Sequence, residues 1–308
     1  MLRWLRTTLV LLLAAAALPR AAGTAHDARP IDDGSIAGVP LAITAVHGDD
    51  ARAVLAVAAA RAEVERLAGR LFDTGAASET ARVNRAAGRS EVAASDALIA
   101  RVARASALAK ATDRAYDPAV GGLTALWRFD GARAIAPDSA QRAAAREHAD
   151  HRRVVVDADR GTIQLPHASM RLDLDGPARG HAADRALAIL REAGATGGLV
   201  VIGGSPADPG SGSVRSAFGF QEDGSPWTVP LDDPRPPAHV FGRLALREGR
   251  GVAILGGATP VRVRGRDHAR VVVPRTGWLA NDVRRVAVAA DDAETAYAYA
   301  YALVVLGA

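Results

Sequence analysis

Between Asp50 and Leu71 the apolar residues Val54, Leu55, Val57, Val64, Leu67 and Leu71 recur at intervals near one helical turn, with acidic and basic residues between them. That spacing predicts an amphipathic helix with its apolar stripe turned inward. A second helix is predicted from about Ser95 to Thr112, with Ser95 and Asp96 placed to cap its start. A third runs from Gly180 to Glu192 and stops at Gly194, and Asp292 to Leu306 closes the chain as a fourth. Shorter apolar runs read as strands: Ala37 to Val46, Leu199 to Ile202, Val240 to Leu246, Gly251 to Leu255, Val261 to Val263, Ala269 to Val273 and Val283 to Ala289. Val154 to Asp157 and Thr162 to Leu165 flank the turn Asp159-Arg160-Gly161 and form a hairpin. Gly203 to Ser213, rich in Gly, Pro and Ser, and the stretch around Pro234 to Pro237 read as loops. There is no repeat and no long linker. The expected fold class is α+β: a single domain of mixed, mostly antiparallel sheet with helices packed against it.

The N-terminus changes the picture of where this domain begins. Arg3 and Arg6 precede an apolar run from Leu9 to Leu18, and Ala21, Ala22, Gly23 and Ala25 follow Pro19 and Arg20. A basic start, a short apolar core and small residues at its end are the layout of a secretory signal peptide, and the core is too short to span a bilayer. Residues 1–25 are therefore expected to be a signal and 26–308 the domain, periplasmic or secreted, with no stable membrane span after cleavage. The chain has no cysteine, which excludes a lipidated cysteine, disulfides and thiolate metal sites. The net charge of +4 falls to about +1 without the three arginines of the signal, and basic residues are interspersed with acids, so nucleic-acid binding has no electrostatic support. Lys110 is the one lysine available for amine chemistry.

Generic catalytic motifs are missing: there is no P-loop, no G-x-G-x-x-G at a strand–helix junction and no H-E-x-x-H. His148 and His151, three apart, read as solvated surface residues rather than a metal pair. Four segments stand out instead. The first is Ser78-Glu79-Thr80-Ala81-Arg82-Val83-Asn84, and the second runs from Tyr116-Asp117-Pro118 through Gly121-Gly122 to Trp127. The third is Leu172-Asp173-Leu174-Asp175-Gly176-Pro177-Ala178-Arg179-Gly180-His181-Ala182-Ala183-Asp184-Arg185. The fourth combines Ile202-Gly203-Gly204, Pro226-Trp227, Pro274-Arg275-Thr276-Gly277 and Leu303 to Gly307. In the third, Asp173 ends a strand and Gly176 to Gly180 makes a tight connection into a helix. The N–H groups at that helix start can receive a phosphate, with Arg179 adding a cation.

In this order and spacing the segments resemble the FAD:protein FMN transferases, the ApbE-type flavin transferases, from about Gly38 to the C-terminus. The resemblance implies binding of FAD, Mg²⁺ at its diphosphate, and transfer of FMN to a threonine of an exported flavoprotein with release of AMP. By position it implies FAD contacts at Ala115, Tyr116, Asp117, Asp173 and Arg179, a flavin-side contact at Val272, a flavin-stacking position at Thr74, and a metal-facing carbonyl at Gly176.

The sequence departs from the family pattern where the chemistry lies. The closing helix of the family carries an aspartate and, four residues on, a threonine toward the metal; here they are Tyr297 and Tyr301, with Ala300 at a further acidic position. Tyrosine is a poor Mg²⁺ ligand, since its phenol stays protonated near neutral pH; an aromatic pair packing at i, i+4 is the better reading of these two. Thr-Ser-Gly-Asp is replaced by Ile254-Leu255-Gly256-Gly257, and His-Ile-Ile-Asp by Arg270-Val271-Val272-Val273, which removes a histidine base; His268 lies two residues away. Thr74 stands in place of a tyrosine. Asp175, Asp282 and Glu294 are the carboxylates that could rebuild a metal site, Glu294 by sharing a helical face with Tyr297. The alternative function is a flavin- or partner-binding pseudoenzyme of the same family.

Overall fold

The computed structural model describes residues 32–73, 77–130, 133–205, 208–233, 239–246, 250–256 and 260–307. The expected signal at 1–25, Thr74, the loop at Pro234 to Pro237 and Gly257 lie outside these residues. The fold is α+β. Among the described residues the α-helices are α1 (Asp50–Leu71), α2 (Glu79–Arg85), α3 (Asp96–Ala111), α4 (Gly121–Thr124), α5 (Ser139–His148), α6 (Asp175–Glu192) and α7 (Ala293–Leu306). Ser95 caps α3 as expected, and Asp49 and Asp292 likewise accept from backbone N–H groups at the starts of α1 and α7.

A six-stranded sheet is the backbone of the molecule, antiparallel throughout. Its strands run in the order Asp32–Ile36, Val39–Val46, Gly197–Ser205, Asp208–Gly219, Gly251–Gly256 and Arg285–Ala290. Strand alternation sorts the core into two layers. Ala253 and Leu255 face the large cluster built with α1, α6 and α7, whereas Val252 and Ile254 join Trp227, Val229 and Leu246 on the opposite face. That second face is covered by the hairpin of Trp227–Asp233 and His239–Leu246. A four-stranded sheet (Arg266–His268, Val261–Val263, Arg133–Ile135, Arg128–Asp130) includes one parallel pairing, so the β-structure is mixed but mostly antiparallel, as expected.

Several local expectations change. Ala37 and Gly38 form a positive-φ turn, preceded by the unforeseen strand Asp32–Ile36. In α1, Val54 and Leu55 are exposed, and small residues take their place inside: Ala53, Ala56 and Ala60 sit with Val57, Val64, Leu67 and Leu71. Of the stretch expected as a loop, residues 203–205 and 208–213 belong to the pairing of Gly197–Ser205 with Asp208–Gly219, with a bulge at Gly203 to Ser205, and residues 206–207 lie outside the described residues. Ala269 to Val273 is not a continuous strand; Arg266–His268 pairs instead, and Val272 makes one isolated bridge to Leu279. No helix among the described residues is long and apolar enough to cross a membrane.

Candidate functional site

Helix α6 begins at Asp175, five residues earlier than expected, so Gly176 to Gly180 is its first turn rather than a connection. Pro177 is tolerated there because the N–H it lacks is one that no helix start can pair internally. Around this turn the distant segments converge. The Asp173 N–H donates to Pro118 O at 2.7 Å, stitching the third segment to the second. Asn84 of the first segment clamps the backbone of Leu172, donating to its carbonyl at 3.0 Å and accepting from its N–H at 2.7 Å. Asp175 accepts from the Asp73 N–H at 2.6 Å, while Asp73 pairs with Arg171. Asp73, Asn84 and Arg171 thus form the polar rim of the site. Asn84 stood in a recognised segment without a role, and Asp73 and Arg171 carried no sequence signal.

Asp173 and Asp175 sit in low-dielectric surroundings. Burial, and then the charge of Asp175, pushes the Asp173 carboxyl up to about 6 against the opposing pull of Arg179. Burial also raises Asp175. Arg179 lies 3.9 Å from Asp175 and 6.0 Å from the centre of the Phe72 ring, and its Nε is buried with no hydrogen-bond partner. A buried guanidinium nitrogen left open beside a helix start suits an anionic ligand.

From the other side, α7 brings tyrosines. The Tyr301 hydroxyl donates to Val272 O at 2.6 Å, and its ring meets Tyr116 edge-on with centroids 5.7 Å apart. Tyr297 tilts against Tyr301 at 6.4 Å. A Cβ on Gly176 would fall 1.8 Å from Cζ of Tyr297, so the ring lies directly on the glycine. Burial raises all three phenols above the ordinary tyrosine range, keeping them neutral, and the Tyr116 hydroxyl has no partner. Mg²⁺ does not fit this arrangement. The face of Gly176 is filled by an aromatic ring, and the closing helix adds only neutral phenols there, so the carboxylates of Asp173 and Asp175 gain from it none of the further oxygen ligands that a hard cation needs.

The remaining expected residues are placed as follows. Ala115 is buried in the turn after α3. Asp117 is fully buried and accepts from the N–H groups of Ala119 and His151, from Arg114 Nε at 3.1 Å, and pairs with His151 Nδ1 at 3.0 Å. Asp117, Asp150 and His151 lie close enough together to share an ion. Arg114 already lies among them, 3.4 Å from Asp150, so a guanidinium supplies the positive charge. The histidines are not solvated surface groups: His151 is bound to Asp117, and His148 stacks on His167 at 3.6 Å between centroids. Glu294 does not reach Gly176. It is buried and paired with Arg101, one turn along. Asp282 lies instead beside Gly307 at the C-terminal end of α7. His268 contacts Leu279 O at 3.1 Å.

Comparison with known proteins bears on this geometry. A sequence model described as the ApbE family matches residues 37–308. The FAD:protein FMN transferase of Treponema pallidum is 31% identical over 243 residues, 75% of this chain and 65% of that protein. One from Klebsiella pneumoniae is 28% identical over 222 residues, 70% of this chain and 65% of its own length. The chain therefore spans just under two thirds of these curated relatives. Among solved structures, the ApbE protein of Thermotoga maritima superposes with a TM-score of 0.75 at 25% identity, covering 89% of this chain and 85% of that one. The Pseudomonas stutzeri flavinyl transferase ApbE gives 0.73 at 22% identity, covering 89% and 84%, and this likeness concerns the fold.

Proposed function

Because the chain belongs to the ApbE family, we propose that the first turn of α6 takes FAD and that the protein is an FAD:protein FMN transferase-like protein of the periplasm or exterior. In the reaction proposed, a threonine hydroxyl of an exported flavoprotein bonds to the flavin-side phosphorus of FAD. The bond to the second phosphate breaks, the hydroxyl proton is lost, and AMP leaves. The observation that carries this reading is the open, buried Arg179 Nε at a helix N-terminus, held beside Asp173 by the Asn84 clamp and the Pro118 contact. Arg179 would hold the diphosphate, Tyr116 and Val272 would line the flavin side with Ala115, and Asp117 would brace the turn that carries them.

A second reading, binding of flavin or partner without turnover, is favoured by one observation: the Tyr297 ring stands on Gly176, where the transferase pattern places a metal-facing carbonyl. One assay separates the two. The purified chain is incubated with FAD, with and without Mg²⁺, and AMP is quantified beside flavin binding by fluorescence. AMP release supports the transferase; binding without AMP supports the second reading; neither, from folded protein, removes both.

A further inference from the structure

The contact between Tyr297 and Gly176 is too close to be incidental. A Cβ at position 176 would lie 1.8 Å from Cζ, 2.1 Å from Cε1 and 2.3 Å from Cε2 of the ring, so only glycine admits it. The ring is braced rather than loose: it rests on Tyr301, which is tied through its hydroxyl to Val272 O and through its edge to Tyr116. Asp173 and Asp175 lie beside it, and Arg179 and Arg171 supply positive charge at this turn. Protonated phenols donate hydrogen bonds and do not demand an octahedral oxygen shell.

We propose that Tyr297 occupies the place of a divalent cation at the start of α6, so that this chain holds its nucleotide without Mg²⁺. The ligand half of this inference rests on the flavin reading above; the cation half does not. Removing the ring and restoring a carboxylate, Tyr297→Asp, opens the face of Gly176 next to Asp173 and Asp175 and should create a cation site.

The test has two readouts on the full chain. The first is binding of Mn²⁺ alone, followed by electron paramagnetic resonance. Wild type and Tyr297→Phe should bind no stoichiometric ion, and Tyr297→Asp should bind one at least roughly tenfold more tightly than wild type. The second is FAD affinity by flavin fluorescence in Mg²⁺ and in EDTA. The ratio should be close to one for wild type and Tyr297→Phe, and Mg²⁺ should favour binding in Tyr297→Asp. Stoichiometric Mn²⁺ on the wild type, or FAD affinity lost in EDTA, overturns the proposal. So does a folded Tyr297→Asp that gains no ion. Should Tyr297→Asp fail to fold, wild type and Tyr297→Phe decide the matter. If FAD binds in neither buffer, the flavin reading falls while the Mn²⁺ readout still judges the cation half.

Discussion

Gly176 and Gly180 lie one turn apart on α6, and both allow α7 to come close, yet they meet different things. At Gly180 an added Cβ would strike backbone, 2.5 Å from Glu294 N and 2.6 Å from Ala293 C. At Gly176 it would strike the ring of Tyr297. The Gly180 contact is structural and ionic: the N-terminus of α7 is held by Asp184, which accepts from the Ala293 N–H at 3.0 Å and pairs with Ser216, while Glu294 is tied to Arg101. The Gly176 contact is made by a side chain, with Asp173, Arg179 and the bound-ligand candidates around it. Two adjacent turns of one helix pair thus separate what holds the fold from what defines the site.

The comparison can be broken at its ionic half first. Arg101→Met leaves Glu294 buried without its partner and should cost about 3 kcal/mol of stability at pH 8. At pH 5, where the carboxyl is neutral, it should cost much less; urea unfolding at the two pH values checks this. The wild type should itself weaken across that range. Burial raises Glu294 to about 7 and Asp184 to about 6, so the native state holds extra protons that the unfolded chain has released. The stability these two groups contribute is full below about pH 4 and is lost as pH rises through about 7. Glu294→Gln should flatten that decline. A pH-independent urea midpoint in the wild type would count against the burial argument.

Next, Gly180→Ala should lose about 2 kcal/mol, because backbone must move to admit the methyl group. Gly176→Ala should lose less, about 1 kcal/mol, since the methyl group displaces only the Tyr297 side chain and no backbone, and alanine favours the helix. A larger loss at Gly176 than at Gly180 would show the division to be wrong. The smallest effect belongs to Tyr301→Phe, which removes the bond to Val272 O and should cost about 1 kcal/mol or less in thermal unfolding.

In the sequence α1 was readable from its apolar spacing and α3 from the capping side chain at its start, both of which are local signals. The sequence hid α5, whose apolar residues are alanines alone and which buries only Ala145, so no stripe of large apolar side chains marks it. The strand Asp208–Gly219 was hidden for the opposite reason: its Gly, Pro and Ser suit a turn, and only pairing with the neighbouring strand decides its conformation. At the site, the four segments were visible as motifs, and the departure at Tyr297 and Tyr301 was visible as chemistry. Their aromatic pairing is in the structure, at 6.4 Å. What no spacing revealed is that Tyr297 would rest on Gly176, 121 positions earlier, or that Glu294 would turn away to Arg101. Such contacts depend on how two helices cross, which local pattern does not encode.

The first two strands of the chain pair with each other, and Val39–Val46 then waits for Gly197–Ser205; α7 supplies the tyrosines last of all. Connections this long in sequence close slowly, because distant segments must meet before either is rewarded. Until α7 docks, Gly176 lacks the Tyr297 ring and Val272 O lacks its donor. A chain emerging N-terminus first therefore completes the candidate site only once α7 has joined the segments that precede it.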